Sequence, residues 1–194
     1  AGWDTAISAY PIDIEGYNKF FDEIPEIVDS LKMNQKVDKL LPEKKQVIVE
    51  GCNYEYDLII NTVPVDELLK EKGLPELKYI GRKIEYVVLP VEYALPKNVY
   101  FTYYCGKEEY TRVCEYKKFT NYDSKNTLIS LEYPTINGSK YYPLPTNEMK
   151  ANYTKYTEVM HKDFVCIGRI GKYNYRYDID DVIEQALSLY QERN

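Results

Sequence analysis

The chain has 194 residues, a net charge of −6 and a pI near 5.0. General nucleic-acid binding depends on neutralising phosphates with Lys and Arg, so this acidic balance argues against it, while leaving room for a locally basic pocket for a small phosphorylated ligand. With 44% hydrophobic and 29% charged residues the chain can fill a core and stay soluble as one large domain or two small ones, and no apolar run approaches the roughly 20 residues of a membrane span.

In chain order, the opening "AISAYPIDIEGYNKFFDEIPEIVDSLK" runs from an extended Tyr-Pro segment into a helix at about 16–32. Phe20, Phe21, Ile24, Ile27, Val28 and Leu31 recur at helical spacing. Pro25 is expected to kink this helix or split it in two. "KQVIVEGCNYEYDLIINTV" reads as a hairpin, with apolar runs 46–49 and 58–63 flanking a turn around Gly51 and Asn53. Leu58-Ile59-Ile60 is continuous and is expected to be buried on both faces. A short helix at about 65–72 should end at Gly73. Four strands follow at 83–91, 98–105, 111–119 and 126–134, spaced as an antiparallel meander. A loop at 135–146, a helix at about 147–161, the strand "FVCIG" and a closing helix from about 179 complete the chain.

This pattern predicts an α+β fold, a mostly antiparallel sheet with packed helices. "DLIINTV" and "FVCIG" differ from the other strands. Each is a short apolar run leading into a glycine- or proline-bearing turn and a helix, as strands do in a Rossmann-like layer. Two such strands without a G-x-G-x-x-G point to an incomplete dinucleotide-binding domain.

Four cysteines without C-x-x-C spacing read as reduced thiols in a cytoplasmic protein and argue against zinc. Two N-x-S/T sites, Asn137 and Asn152, would matter only in a secreted protein, and no leader is evident. The Ala1 start reads as a processed or excised piece. The one histidine, His161, has no nucleophile motif beside it and reads as a helix-end residue. Tyrosine is the outlier, at 22 against 5 Phe. Clustered at turns, it suits a pocket for something polyhydroxylated or planar.

The sharpest motif is "GRIGKYNYRYDIDDVIEQAL" at 168–187. It resembles the C-terminal signature of UDP-galactopyranose mutases, G-R-x-G-x-Y-x-Y-x-D-M-D, which leads into a helix over the flavin of FAD. Other segments resemble that family in its order. "YPIDIEGYNKFF" is similar to I-P-x-x-G-Y-T-x-(L/M), and "YDLIINTVPVDELL" to D-x-(I/V)-I-(Y/N)-T-G-P-I-D. "EYTRVCEYKKF" is similar to P-Y-T-R-I-x-E-H-K-x-F, "LEYP" to (R/K)-E-Y-(P/S), and "KYYPLP" to P-Y-Y-P-(I/V). Nearly the whole chain is covered, but it corresponds only to the C-terminal half or so of a mutase.

The resemblance implies interconversion of UDP-galactopyranose and UDP-galactofuranose through a sugar adduct on N5 of reduced FAD. It implies a UDP-sugar substrate and an N-terminal FAD-binding half as partner, and it admits a homodimer. This stretch alone is expected to be inactive, with no FAD tightly bound. Implied substrate-binding residues are Arg112 for the diphosphate, Tyr142, Tyr175, Asp178 and, beside them, Tyr110. Implied cofactor-binding residues are Gly168, Arg169, Gly171, Asp178 and Ile179. No residue of the chain is implied as catalytic. The implied organisation is a substrate-domain start at 1–45, an FAD-domain hairpin, strand and helix at 46–75, a substrate-binding sheet at 76–146 and a C-terminal FAD-domain segment at 147–194.

Simpler readings stand beside these. Arg112 could form a cross-strand ion pair with Glu108, Glu109 or Glu115. Glu132 could be an exposed strand carboxylate. Asp178 or Asp180 could be a plain N-cap. The chain departs from the signature, since two residues, Arg176 and Tyr177, separate Tyr175 from Asp178 where the family has one. Val63 replaces a glycine, Tyr116 a histidine and Ile179 a methionine. The alternatives are an amine-oxidase-superfamily FAD oxidoreductase fragment and an FAD-free sugar-nucleotide binding or interaction module.

Overall fold

In the computed structural model of the chain, residues 10–136 and 138–193 are described. Residues 1–9, where the opening extended segment begins, and the sequon residue Asn137 lie outside them. The elements in order are α1 (Asn18–Asp22), α2 (Ile24–Ile27), β1 (Val37–Leu41), β2 (Gln46–Val49), β3 (Cys52–Glu55), β4 (Ile59–Asn61), α3 (Val65–Leu68), β5 (Tyr79–Leu89), β6 (Phe101–Tyr103), β7 (Arg112–Glu115), α4 (Lys117–Thr120), β8 (Thr127–Thr135), β9 (Tyr142–Pro143), α5 (Asn147–Val159), β10 (Phe164–Cys166), α6 (Gly168–Gly171) and α7 (Ile179–Arg193). Helices and antiparallel strands are mixed in an α+β fold, as the sequence pattern predicts. No helix among the described residues is long and apolar enough to cross a membrane.

The chain divides into two compact units, one of residues 1–32 and 83–134, the other of 33–82 and 135–194. In the first unit the predicted opening helix is split. Pro25 sits in the first turn of α2, where its missing N–H costs nothing, and α1 ends just before it. The unit's sheet runs in the order β6-β7-β8-β5. β6 pairs antiparallel with β7, and β7 with β8. The predicted strand 111–119 stops at Glu115, because Tyr116 turns into α4, which Asn121 closes in a left-handed conformation at φ 53°. The buried groups here are largely polar. Glu115 and Ser130 are fully buried, and Lys117, Lys118 and Glu132 nearly so.

The second unit has an apolar core. Val65, Leu68 and Leu69 of the α3 segment pack with Met149 and Tyr156 of α5 and Phe164 of β10. β1, β2 and β3 form an antiparallel sheet. The predicted 46–63 hairpin is corrected here. β2 pairs with β3 through a two-residue turn, Glu50 and Gly51, both at positive φ as that turn geometry requires. The run 58–63 instead supplies β4, which pairs parallel with β10, from Phe164 opposite Ile59 to Cys166 opposite Asn61. Ile60 is half exposed, so β4 is not buried on both faces. Among the described residues β10 is its one strand partner, which the apolar run alone does not reveal. Gly73 ends the α3 segment at φ 62°, as expected. In the same unit Tyr79 and Ile80, the first residues of β5, pair with Pro143 and Tyr142 of β9.

Candidate functional site

The parallel pair β4 and β10 is followed, at the C-terminal end of β10, by the Gly168–Gly171 turn α6. Gly168 has φ 75°, a conformation L side chains rarely adopt. Gly171 is buried. A Cβ there would meet the Asn61 carbonyl oxygen at 2.5 Å, so the close approach that Gly171 permits is to β4.

The alternating tyrosines that follow do not form a strand. Tyr173 is buried with φ 49°, an unfavourable backbone for a bulky side chain that costs on the order of 1 kcal/mol or more. Its packing offsets that cost. The ring meets Tyr79 edge-on at 5.2 Å and stacks on Tyr153 at 5.8 Å. Its hydroxyl donates to the Lys78 carbonyl and accepts from the Leu144 N–H. Burial pushes the Tyr173 phenol up to about 12. Asn174 then opens a side-chain turn, its Oδ1 accepting from Arg176 N at 3.1 Å, and Tyr177 N bonds back to the Asn174 carbonyl at 3.4 Å. This turn carries Arg176 and Tyr177, the two residues that separate Tyr175 from Asp178. With Tyr173 as the buried anchor, Tyr175 is left half exposed.

Four residues proposed from the sequence meet here. The Arg169 guanidinium lies over the Tyr142 ring at 5.6 Å and the Tyr175 ring at 5.4 Å, and these rings are 5.7 Å apart. Arg169 Nε donates to the Tyr177 carbonyl at 2.9 Å, and an Nη donates to the Asp178 carboxylate. Such cation–ring contacts contribute about 0.5–1 kcal/mol each where exposed. Asp178 directly precedes α7, and its own N–H donates to the Asp181 carboxylate at 2.8 Å. Asp181 therefore caps the helix, Asp178 holds the N-cap position, and Asp180 lies inside the first turn, which corrects the N-cap reading of Asp180. Ile179, the first residue of α7, is largely exposed. Arg82, on β5, was not picked out from the sequence. Its guanidinium sits 5.1 Å from the Tyr142 ring on this unit's stretch of β5. β9 carries Tyr142 opposite Ile80 of β5, two residues before Arg82, and no sequence motif gives that register.

Arg112 and Tyr110 belong to the first unit. The register places Tyr103, Arg112 and Glu132 in one row across β6, β7 and β8. Arg112 Nε and Nη2 donate to the two Glu132 carboxylate oxygens, both at 2.8 Å. The cross-strand ion pair exists, but its partner is Glu132 and not Glu108, Glu109 or Glu115. Glu132 is buried, against the reading of an exposed carboxylate. Phe101 and Tyr103 flank the guanidinium at 6.0 and 5.9 Å. Tyr110 packs edge-on against Tyr104 at 4.9 Å. An apolar cavity of about 790 Å³ also lies in this unit, lined in part by Gly16, Tyr17, Tyr116 and Phe119 from two of the sequence motifs, and neither Tyr110 nor Arg112 lines it. His161 follows α5 and contacts Asp163 at 3.2 Å, consistent with a helix-end role.

Comparison with known proteins agrees with these motifs. The family model described as UDP-galactopyranose mutase matches residues 3–175. A crystal structure of reduced UDP-galactopyranose mutase superposes with a TM-score of 0.71 at 16% identity, over 93% of this chain and 53% of that one. A putative protoporphyrinogen oxidase from Exiguobacterium sp. 255-15 superposes with a TM-score of 0.63 at 8% identity, over 91% of this chain and 51% of that one. At these identities the two structures speak for the fold alone, and the chain spans about half the length of each. The family match covers most of the sequence, and the chain belongs to the UDP-galactopyranose mutase family.

Proposed function

We propose that this chain is the C-terminal, substrate-facing part of a flavin-dependent isomerase that interconverts UDP-galactopyranose and UDP-galactofuranose. The observation that carries the reading is the meeting of Tyr142, Arg169, Tyr175 and Asp178, which come from two motifs far apart in sequence, around one guanidinium. FAD is the cofactor this reaction needs. The residues that would hold its flavin are Gly168, Arg169, Asp178 and Ile179, while Gly171, whose close approach is to β4, would set the turn that carries them. They suit one edge of it, because they follow the C-terminal end of a parallel strand, where α/β sheets bind ligands, and because the first turn of α7 is uncovered. The positive end of α7 favours an anion there. The 194 residues contain no G-x-G-x-x-G, so the dinucleotide phosphates call for a separate FAD-binding half as partner. When bound, reduced FAD supplies the nucleophile toward the anomeric carbon.

The chain's own residues then bind and orient. Tyr142 and Tyr175 offer ring faces and hydroxyls to a sugar diphosphate. Arg169 holds the two rings in register, and Arg82 adds positive charge beside Tyr142. In the first unit Arg112 is the proposed diphosphate contact, with Tyr110 beside it. Glu132 grips two of its donors and so fixes the plane in which the guanidinium is presented. The test is to purify the complete polypeptide containing these residues, reduce it with dithionite and assay UDP-galactose interconversion. Furanose product is expected. Bound flavin with no furanose product would sink the proposal. Arg112→Ala should weaken UDP binding, and an unchanged affinity would leave Arg112 with its Glu132 pair alone.

A further inference from the structure

On the second unit a cavity of about 650 Å³ opens between the start of α5 and the α6–α7 connection. Its charged lining residues are Lys150, Lys172 and Arg176, with no carboxylate among them. That is unexpected on a chain of net charge −6. The cavity beside α7 shows the contrast, since it is lined by Asp181, Glu184 and Glu192, with Lys172 between the two cavities. Among the described residues, none of the three cations forms an ion pair, and the contact recorded for a charged head is Lys172 over the Tyr177 ring at 5.9 Å. Tyr177 lines the acidic cavity, so Lys172 sits at the boundary of the two, and a multivalent anion would draw its flexible head towards Lys150 and Arg176. The first turn of α5, which carries Lys150, adds the positive end of a 13-residue helix.

The remaining wall is aromatic and apolar: Tyr153, Tyr175 and Leu144 contribute to it. Tyr153 is held in place by its hydroxyl, which donates to the Gly171 carbonyl at 3.0 Å. Arg176 reaches the cavity through the Asn174 side-chain turn, where this sequence is one residue longer than the family signature. The volume lies within the roughly 300–1,000 Å³ usual for small-molecule sites. We propose that this cavity binds a small organic phosphate, its phosphate on Lys150, Lys172 and Arg176 and its apolar or planar part on Tyr153 and Tyr175. The site shares the Tyr175 ring with the Arg169 cluster but takes its charge from Lys150, Lys172 and Arg176, so it does not rest on the sugar-nucleotide reading.

Inorganic pyrophosphate is the probe, titrated calorimetrically into the full chain at low and high ionic strength. The wild type should bind it, more weakly as salt rises. Lys172→Gln/Arg176→Gln should weaken binding by about tenfold or more, as expected when charge-assisted bonds to an anion are lost. Lys172→Arg/Arg176→Lys should retain it, and so should Arg169→Gln. The altered side chains are outside the core, and far-UV circular dichroism verifies that each variant is folded. No saturable binding to the wild type would overturn the proposal, as would binding that the double Gln variant leaves unchanged. Loss in Arg169→Gln, alone or together with the double variant, would equally overturn a separate site and assign the anion to the Arg169 cluster.

Discussion

The two units solve the same problem with different materials. The second excludes water with aliphatic and aromatic side chains around Leu69 and Val65. The first buries charge. The Glu115 carboxylate, with no exposure to solvent, accepts from the N–H groups of Ala94 and Leu95, from the Thr127 hydroxyl and from Lys118. Lys118 also donates to the carbonyls of Leu95, Pro96 and Val99, and Lys117 to those of Ser124 and Asn126. The Glu115 and Lys118 bonds tie down a long connection, residues 90–100, that lacks strand or helix of its own, and the Lys117 bonds hold the turn before β8. A sheet with few apolar residues to spare can still be specific if every buried charge is matched, but the cost of removing one partner is then high.

The largest expected effect follows from that asymmetry. Glu115→Ala removes four accepted bonds at once and leaves Lys118 buried without its counter-ion. It should destabilise the fold by about 3–5 kcal/mol in urea titrations followed by far-UV circular dichroism. A loss below about 1 kcal/mol would mean the network is ornamental. In the second unit Leu69→Ala should cost about 3 kcal/mol through lost transfer energy and a cavity. The units differ most sharply in their response to acid. Burial opposes ionisation of Glu115, yet the bonds from Thr127, Ala94, Leu95 and Lys118 outweigh it and hold its pKa down to about 2, against 4.5 for an ordinary glutamate. A lowered folded-state pKa stabilises the fold above the unfolded value and loses that contribution as pH falls through the folded one. About 3 kcal/mol should therefore be present above pH 4.5 and disappear towards pH 2. The Glu115→Gln variant should lack this dependence, whereas Leu69→Ala should keep it.

The apolar unit was the more legible of the two. Helix α5, the α3 segment with its Gly73 stop, and the two Rossmann-like strands are all carried by periodicity and punctuation. The parallel partnership of β4 with β10 was not, because residues 59–61 and 164–166 are joined by no local signal. The same limit hid the Arg112–Glu132 row. Glu109 and Glu115 are neighbours in sequence, but register across β7 and β8, and not proximity along the chain, decides which carboxylate meets the guanidinium. The environments of the three tyrosines were not legible either. Tyr173, Tyr175 and Tyr177 are evenly spaced in sequence, whereas positive φ at Tyr173 and the Asn174 turn send the three rings to different environments.

The smallest effect tests whether the polar cluster of the second unit is as dispensable to its fold as Glu115 is indispensable to the other. Asp178 is largely exposed, so its bond to Arg169 is a surface ion pair worth at most about 1 kcal/mol. The start of α7 is held instead by the Asp181 carboxylate on the Asp178 N–H. Asp181→Ala should cost about 1 kcal/mol, measured by thermal denaturation of far-UV ellipticity. Asp180→Ala, which removes only a favourable charge near the helix N-terminus, should cost about 0.5 kcal/mol or less. Equal losses at the two positions would mean that the helix dipole, and not the capping bond, sets the start of α7. The Arg169 cluster would then rest on a less sharply defined turn than the one between Asn174 and Asp178.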